Sequence, residues 1–263
     1  MVRTRSLEHG ISEAKEAAAD GAVPVVMSGD GLVGQVGGAL AGTDATMGIL
    51  PGGRGNDLAR VLGIPTDPAE AVAVLADGKT RRIDVGEANG RRFLGVASCG
   101  FDSDANRIAN EARLVRGNLV YAYAALRALL AWRPARFTLV LDGGEPIEYD
   151  GYSVAAANSR AFGGGMFVAP HAELDDGMLD VITVSDVSKL RYLRGLPMAF
   201  KGTHLENDEV SEMRAATVEV RADRDFAVYA DGEHLTDLPA TITVLSGALR
   251  VIAPTGQLVG PPS

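Results

Sequence analysis

The sequence predicts an α/β N-terminal domain with a parallel sheet, followed by a mostly antiparallel β-sandwich C-terminal domain. Up to about Gly78, short apolar runs of strand length alternate with helical segments, which is typical of α/β units. Beyond Gly78, short β-like runs follow one another and are separated by turn residues. We therefore place the boundary near residues 78 to 82, with domains at 1–80 and 81–254 and a tail at 255–263.

In the first domain, the helices and strands follow from apolar runs and capping residues. The run at 23–27 is continuously apolar, as expected of a buried parallel strand. Asp67 followed by Pro68 is typical of a helix N-terminus, because Asp caps free N–H groups and Pro suits the first turn. The predicted helices are 12–20, 33–40, 56–62 and 68–75, and the predicted strands are 23–27 and 46–50.

The second domain is predicted from short runs of β-forming residues. Asp142-Gly143-Gly144 is a hairpin signal between two of these runs. The predicted strands are 81–87, 92–99, 137–141, 153–157, 178–184, 216–221, 226–229, 241–245 and 249–252.

Composition narrows the classes of function. The net charge of −9 disfavours nucleic-acid binding, which normally needs a basic surface. The single cysteine, Cys99, excludes an intramolecular disulfide and predicts a reducing, cytoplasmic setting. It lies in an apolar run, which favours a buried thiol over a nucleophile. No apolar run approaches the ~20 residues that a membrane-spanning helix needs, so we expect any lipid to be met peripherally.

One segment is basic, although the net charge of the whole chain is negative. Residues 107–136 carry six Arg and one acidic residue, Glu111. The segment also contains an Ala- and Leu-rich helical pattern with Tyr121, Tyr123 and Trp132. Basic residues beside Tyr and Trp suit an anionic bilayer surface, whereas a core helix with solvated arginines explains the same pattern equally well.

A glycine-rich turn follows the first predicted strand. Gly29-Asp30-Gly31 can present backbone N–H groups to phosphates, and Asp30 is compatible with a magnesium ion between carboxylate and phosphate. Gly29, Gly31 and Gly34 also match the dinucleotide-binding fingerprint. We reject that match because Asp30 would face pyrophosphate, and no acidic residue ends the next strand. A plain Asp-Gly turn is the remaining alternative.

A second glycine-rich turn, residues 52–57, follows the second strand and opens the next helix. Asn56 or Asp57 alone could be a helix cap. The two turns follow neighbouring parallel strands, however, so we expect them at the same sheet edge, where α/β folds bind ligands.

Two acidic segments lie in the second domain. Asp175-Asp176-Gly177 is similar to a loop for a hard cation, although an acidic β-turn would have the same sequence. Asp231-Gly232-Glu233 follows a predicted strand, and a phosphoryl acceptor hydroxyl needs such a carboxylate. A turn with exposed carboxylates is the alternative for this second segment.

Taken together and in this order, the motifs resemble those of the diacylglycerol/sphingosine kinase family of lipid kinases. The resemblance extends from about Thr4 to about Pro254 and includes the string Gly163-Gly164-Gly165-Met166 before Pro170. It implies a Rossmann-like N-terminal domain of the NAD kinase and diacylglycerol kinase type. Arg54 stands where the family usually has Thr. The implied ATP-binding residues are Thr4, Ser28, Gly29, Asp30, Gly31, Leu32, Gly53, Arg54, Gly55, Asn56 and Asp57.

The resemblance also implies a metal site and an acceptor site. Asp176 would supply a side-chain ligand for Mg²⁺, and Glu173 and Met178 would contribute backbone carbonyls. Asp231 and Glu233 would activate the acceptor hydroxyl, and which of the two takes the proton stays open at this stage.

The function implied is an ATP-dependent lipid kinase of phospholipid biosynthesis, peripherally bound to the membrane, with a homodimer allowed. Diacylglycerol is the first choice of acceptor and a sphingoid base the second. One alternative is a kinase for a soluble acceptor such as NAD. Another is a truncated, non-catalytic lipid-binding homologue, because the family usually has a strand and a helix before the point at which this sequence begins. The absence of that strand would leave an apolar sheet edge unpaired.

Overall fold

The structure is a computed structural model, and it describes residues 2–101, 103, 129 and 131–261. Most of the basic segment 107–136, including Tyr121 and Tyr123, lies outside the described residues. The elements of the first part are α1 (Leu7–Ala19), β1 (Val25–Ser28), α2 (Asp30–Leu40), β2 (Thr46–Pro51), α3 (Asp57–Val61) and α4 (Pro68–Asp77).

Capping residues set the helix ends. Helix α1 begins at Leu7, five residues before the predicted start, because the Ser6 hydroxyl accepts the N–H of His9. Helix α4 begins as predicted, with Asp67 accepting the N–H groups of Ala69 and Glu70, and ends at Gly78, whose φ is 67°. None of the helices within the described residues is both long enough and apolar enough to cross a bilayer.

The second part consists mainly of strands. They are β3 (Thr80–Ala88), β4 (Arg91–Phe93), β5 (Val96–Gly100), β6 (Ala135–Leu141), β7 (Ile147–Ala157), β8 (Leu179–Ser185), β9 (Val210–Ala215), β10 (Thr217–Ala222), β11 (Ala227–Ala230), β12 (Glu233–Asp237) and β13 (Ala240–Ile252). Between β8 and β9 lie helix α5 (Lys189–Ala199) and a 3₁₀ turn (Thr203–Glu206). The sequence analysis did not predict α5, this turn, β9 or β12.

Three of the predicted strands are divided or joined in the structure. The run 92–99 divides into β4 and β5, because the N–H groups of Leu94 and Gly95 donate to a side chain, Asp231, instead of a neighbouring strand. The runs 241–245 and 249–252 join into the single strand β13, whose pairing with β3 is irregular between Leu245 and Leu249. The predicted hairpin at Asp142-Gly143-Gly144 connects β6 to β7.

The predicted fold class is confirmed, with parallel strands in the first part and an antiparallel sheet in the second. Strands β1 and β2 pair in parallel, and β2 pairs in parallel with β13. Strand β13 also pairs antiparallel with β3 and β10, and so joins the two sheets. Within the described residues the strand order is β1-β2-β13-β10-β6-β7-β5-β11-β12. Off this path, β3 pairs with β13 and with β4, and β8 pairs with β7 and with β9.

Each part has its own hydrophobic core, and β13 contributes to both. Leu249 and Val251 pack with Met47 and Ile49 of β2 in the first core. Ile242, at the other end of β13, packs in the second core, which contains Phe137 and Trp132. The predicted division at residue 80 stays a prediction, since the last strand is common to both parts.

Strand β1 lies at one edge of the described sheet and exposes apolar side chains. Its side chains alternate between buried and exposed, and Val25 and Met27 are 45% and 69% exposed. Two apolar side chains are therefore exposed at this edge of the described sheet.

Gly86 provides a test of the packing between β3 and β4. A Cβ atom at Gly86 would lie 2.1 Å from Cζ of the buried Phe93 ring. We expect Gly86→Ala to lower the free energy of unfolding by about 1–3 kcal/mol, because the ring has to move out of a packed core. Urea unfolding measures the change. Gly256→Ala is the control, because a Cβ there meets nothing within 4 Å. Equal stability of both variants and the wild type would contradict the packing described.

Candidate active site

The first glycine-rich turn connects β1 to α2. Gly29 is the N-cap of α2, and its carbonyl oxygen accepts the N–H of Val33 at 3.2 Å. Asp30 is the first residue of the helix, and its Oδ1 accepts the N–H of Leu58 in α3 at 3.2 Å. The Asp30 side chain therefore ties the first turn to the helix that follows the second turn.

The second turn is fixed by Asn56. Its φ of 50° is left-handed, its Oδ1 accepts the N–H of Gly53 at 2.8 Å, and its Nδ2 donates to the Gly53 carbonyl oxygen at 2.9 Å. A Cβ atom at Gly53 would lie 2.4 Å from the Cα of Gly29, so glycine is required where the two turns touch. The predicted meeting of the two turns at one edge is confirmed. Arg54 is exposed in this loop.

Asp57 is a buried carboxylate at the start of α3. It is 5% exposed, and its Oδ2 accepts the N–H of Gly164 at 2.7 Å. Its Oδ1 is buried and has no hydrogen-bond partner within the part of the chain that the structure describes. Burial raises the pKa of Asp57, the N–H of Gly164 opposes this, and the nearby charge of Asp30 raises it further.

The contact with Asp57 depends on a backbone conformation of Gly163-Gly164-Gly165 that favours glycine. All three glycines have positive φ, of 67°, 86° and 104°. Such a backbone is rarely adopted by residues with a Cβ atom. It brings the N–H of Gly164, from the second part of the chain, to Asp57 in the first. The string therefore joins the predicted nucleotide-binding edge to the second domain.

Asp231 has both carboxylate oxygens engaged by backbone. Oδ2 accepts the N–H of Leu94 and Oδ1 accepts the N–H of Gly95, each at 2.9 Å. The side chain packs on α2, where a Cβ atom at Gly34 would lie 2.4 Å from Oδ2. Burial is the largest effect on its pKa, which is raised from 3.8 to about 7; Asp30 and Asp57 add to the rise, and the two N–H groups oppose it.

Glu233 is exposed, unlike Asp231, and faces an open cleft. The cleft has a volume of about 460 Å³ and is lined by residues that include Thr4, Gly31, Leu32 and Glu233. A Cβ atom at Gly31 would lie 3.5 Å from Oε1 of Glu233. The structure thus brings one predicted acceptor residue together with three predicted nucleotide-binding residues.

The predicted metal ligands Glu173, Asp176 and Met178 lie in one loop. Oδ1 of Asp176 accepts the N–H of Met178 at 3.0 Å, and its Oδ2 is paired with Arg214. Oε1 of Glu173 accepts from Arg160 at 2.5 Å. Within the described residues no group of three or more His, Cys, Asp or Glu side chains is arranged to hold a metal ion. The assignment of these three residues stays a prediction.

The sequence analysis missed Asp84, which organises this loop. Asp84 is fully buried in β3; Oδ2 accepts the N–H of Gly177, and Oδ1 accepts the N–H of Gly247, both at 2.6 Å. Its carbonyl oxygen accepts from Nδ2 of Asn158 at 3.0 Å. In the sequence, the only sign of this role is that Asp84 stands between two apolar residues, Ile83 and Val85.

Asn158, also missed, connects the acidic loop to Asp231. Its Nδ2 donates to the Leu94 carbonyl oxygen at 2.9 Å as well as to Asp84, and its backbone N–H donates to the Gly95 carbonyl oxygen at 3.0 Å. Leu94 and Gly95 are the two residues that hold Asp231. A continuous set of buried and partly buried hydrogen bonds therefore runs from Asp231 through Asn158 and Asp84 to Gly177.

Comparisons with known proteins place this chain in a family. Residues 1–88 match the model of the diacylglycerol kinase catalytic domain. Residues 95–253, more than half of the chain, match the YegS C-terminal NAD kinase beta sandwich-like domain. The chain belongs to the diacylglycerol kinase-like family of lipid kinases. The resemblance found in the motifs is therefore confirmed.

Individual relatives of this lipid kinase agree with the family models. A diacylglycerol kinase of Mycobacterium tuberculosis (strain H37Rv) is 43% identical over 236 residues, which are 88% of this chain and 76% of that protein. A diacylglycerol kinase of Bacillus subtilis (strain 168) is 29% identical over 243 residues, 88% of this chain and 77% of that protein. A crystal structure of a diacylglycerol kinase from Bacillus anthracis str. Sterne shares the fold, with a TM-score of 0.74 and 22% identity over 98% of this chain and 85% of that chain.

The raised pKa of Asp231 has a measurable effect on the stability of the lipid kinase. Between about pH 4 and pH 7 the folded protein keeps a proton on Asp231 that the unfolded chain has lost. This group's contribution is therefore fully present at low pH and disappears as pH rises through 7. We expect Asp231→Asn to flatten the fall in unfolding free energy between about pH 4 and pH 7, measured by urea unfolding.

The exposed Asp44 supplies the control for this measurement. Asp44→Asn removes one negative charge from the surface, and its pH profile of unfolding free energy should follow that of the wild type. If Asp231→Asn retained the wild-type pH dependence in full, the raised pKa of Asp231 would be contradicted.

Proposed function

We propose that this lipid kinase transfers the γ-phosphate of ATP to the hydroxyl of a membrane lipid, with diacylglycerol as the first choice of acceptor. The observation that carries the proposal is the meeting of both glycine-rich turns with the loop of Asp231 and Glu233 at one sheet edge. Glycines and helix N-termini there suit phosphate, and carboxylates suit a cation and an acceptor hydroxyl. A sphingoid base is the second choice of acceptor.

The nucleotide would bind along the two glycine-rich turns. Gly29 and Gly53 let the backbones of the turns approach closely, and the start of α2 presents free N–H groups. Thr4 and Leu32 line the adjoining cleft, and the exposed Arg54 is free to reach a phosphate oxygen from the loop. Ser28, Gly31, Gly55 and Asn56 complete the proposed ATP site.

Two carboxylates at this edge fit a magnesium ion bound together with the nucleotide. A Cβ atom at Gly55 would lie 3.0 Å from Oδ2 of Asp30 and 3.2 Å from Oδ2 of Asp57, so both carboxylates border the same small space. Asp57 also has a buried oxygen without a partner in the described chain. One or two carboxylates plus phosphate oxygens are a usual Mg²⁺ environment. When bound, the ion would neutralise charge on the phosphates.

The acidic loop is the second proposed magnesium site. Asp176 would supply its carboxylate and Glu173 and Met178 their carbonyl oxygens, as the family resemblance implies. A cation there would replace Arg214 as the partner of Asp176. Asp84 holds the loop through Gly177 and so would fix the ligand geometry.

The geometry favours Glu233 over Asp231 as the base. Both oxygens of Asp231 already accept backbone N–H groups, whereas Glu233 is exposed and lines the cleft. In the proposed step the lipid hydroxyl oxygen attacks the γ-phosphorus, the bond from that phosphorus to the β-phosphate bridging oxygen breaks, and ADP leaves. A carboxylate oxygen of Glu233 takes the hydroxyl proton. Asp231 fixes the turn from which Glu233 projects.

The assay for this proposal is transfer of labelled γ-phosphate from ATP, with Mg²⁺, to diacylglycerol, a sphingoid base and NAD. We expect labelled diacylglycerol from the wild type and a fall in kcat of roughly 10²–10⁴-fold for Glu233→Gln, the range for loss of a general base. Glu145→Gln, which changes an exposed glutamate, is the control and should retain full activity.

Each other outcome selects a different function. Labelled NAD without labelled lipid would replace the proposal with a soluble-acceptor kinase. Vesicle binding without transfer to any acceptor, from a folded protein, would replace it with a non-catalytic lipid-binding protein. Full activity of Glu233→Gln would remove the assigned base.

The acidic loop is tested by a Mg²⁺ titration of kinase activity. We expect Asp176→Asn to require about tenfold or more Mg²⁺ for half-maximal rate, because a carboxylate ligand is lost. The neighbouring Asp175→Asn is the matched control, since Asp175 is paired with Arg81 at 2.7 Å and has no assigned metal role. Identical Mg²⁺ curves for the two variants would remove the acidic loop as a metal site.

A further inference from the structure

We propose that one face of helix α5, extended by Phe200 and Lys201, docks on the surface of an anionic lipid bilayer. This inference deepens the proposed function and rests on it, since a lipid kinase must reach a substrate held in a membrane. The surface, which we call the α5 face, consists of Leu190, Leu193, Arg194, Pro197, Phe200 and Lys201.

The inner face of α5 is fixed to the second core. The Tyr192 ring stacks on Tyr152, with centroids 4.2 Å apart and an interplanar angle of 12°, and meets Phe101 edge-on at 4.9 Å. Leu196, one helical turn further on, packs against the same core. The orientation of the helix is therefore set, and the sides away from Tyr192 and Leu196 point outward.

An apolar stripe runs along the outward side of the helix. Leu190, Leu193 and Phe200 are 58%, 39% and 46% exposed, and Pro197 between them is also exposed. Their spacings of three, four and three residues place them in one stripe on a helix. Ordinary globular helices turn a polar face to water, so an exposed apolar stripe indicates an interaction surface.

Charge identifies the partner. Residues 189–201 contain two Lys and two Arg and no acidic residue, in a chain of net charge −9. Arg194 and Lys201 border the apolar stripe and are exposed. Arg191, on another side of the helix, is paired with Glu209 at 2.6 Å. An apolar stripe bordered by basic residues is the pattern of helices that lie in the interface of anionic membranes.

A second copy of the chain fits this face less well. A two-fold contact through α5 would bring Arg194 and Lys201 of each copy against the same residues of the other. Anionic lipid headgroups, in contrast, complement these charges, and acyl chains accept Leu193 and Phe200. The polarity of the face thus favours a bilayer over self-association.

The position of the helix suits delivery of a lipid to the site. The carbonyl oxygen of Ala199, the last residue of α5, accepts the N–H of Phe167 at 2.8 Å. Phe167 follows directly on the Gly163–Met166 string, whose Gly164 holds Asp57 at the nucleotide-binding edge. A bilayer on the α5 face would therefore be anchored next to the segment that joins the two domains at the active site.

The test is co-sedimentation of the full chain with vesicles. The vesicles contain phosphatidylcholine alone or with phosphatidylglycerol, and the chain is wild type, Leu193→Ser/Phe200→Ser or Arg194→Glu/Lys201→Glu. We expect the wild type to bind mixed vesicles better than neutral ones, and each double variant to lose roughly tenfold in binding to mixed vesicles. Val72→Ser/Lys15→Glu is the matched control, because both residues are exposed on other helices, and it should bind like the wild type.

A soluble acceptor separates this inference from the proposed function. With a short-chain diacylglycerol dissolved below its aggregation threshold, all four proteins should phosphorylate the acceptor at equal rates, because the chemistry does not involve α5. Loss of this reaction in the wild type would refute the proposed kinase function. Wild-type vesicle binding by both α5 variants would overturn the docking surface alone. The docking surface would also be overturned if analytical ultracentrifugation showed that the wild type is a dimer and that Leu193→Ser/Phe200→Ser is a monomer.

Discussion

The active-site end of the molecule depends on the two hydrogen bonds that Asp231 accepts from Leu94 and Gly95. These bonds interrupt what would otherwise be one strand, and so create the separate strands β4 and β5. They also fix the turn at Asp231, whose φ of 53° is left-handed, and thereby the start of β12 at Glu233. Asp231, both of whose carboxylate oxygens accept backbone N–H groups, therefore positions the exposed side chain of Glu233.

The proximity of Asp30, Asp57 and Asp231 has an electrostatic consequence. The charge of Asp30 raises the pKa of both other groups, on top of the larger effect of burial. Carboxylates packed in this way are costly to ionise together unless a cation compensates them. A nucleotide with its divalent ion would supply that compensation at the edge where one oxygen of Asp57 has no partner among the described residues. The crowding of carboxylates that adds to these two raised pKa values would thus also favour the binding of a cation.

Local patterns were sufficient to predict the parallel strands, the helix cap at Asp67 and the two glycine-rich turns. They were sufficient because each depends on residues close in sequence: an apolar run, a capping side chain, or a glycine with little steric hindrance. The division of residues 92–99 could not be predicted in this way, because its cause, Asp231, lies far along the chain. The union of 241–245 and 249–252 into β13 could not be predicted for a similar reason. It depends on pairing with β3, which continues on both sides of the irregularity between Leu245 and Leu249.

The candidate site shows the same limit. Asp30, Asp57, Asp231 and Glu233 lie in recognisable motifs, whereas Asp84 and Asn158 have none. Asp84 looks like the polar residue of an alternating strand, and only the tertiary structure shows that it is fully buried and accepts from Gly177 and Gly247. Helix α5 was missed because Gly195 and Pro197 lie within it and weaken the helical pattern.

Strand β1 and helix α5 each expose apolar side chains, but the two surfaces differ in what they can bind. At β1, Val25 and Met27 are exposed beside an open backbone edge within the described sheet. Unpaired N–H and C=O groups there favour the addition of another strand. On α5 the backbone groups are used within the helix, and the apolar side chains are bordered by Arg194 and Lys201. The α5 face can therefore contact a partner only through side chains. Apolar and basic side chains are sufficient for binding to a fluid, negatively charged lipid surface.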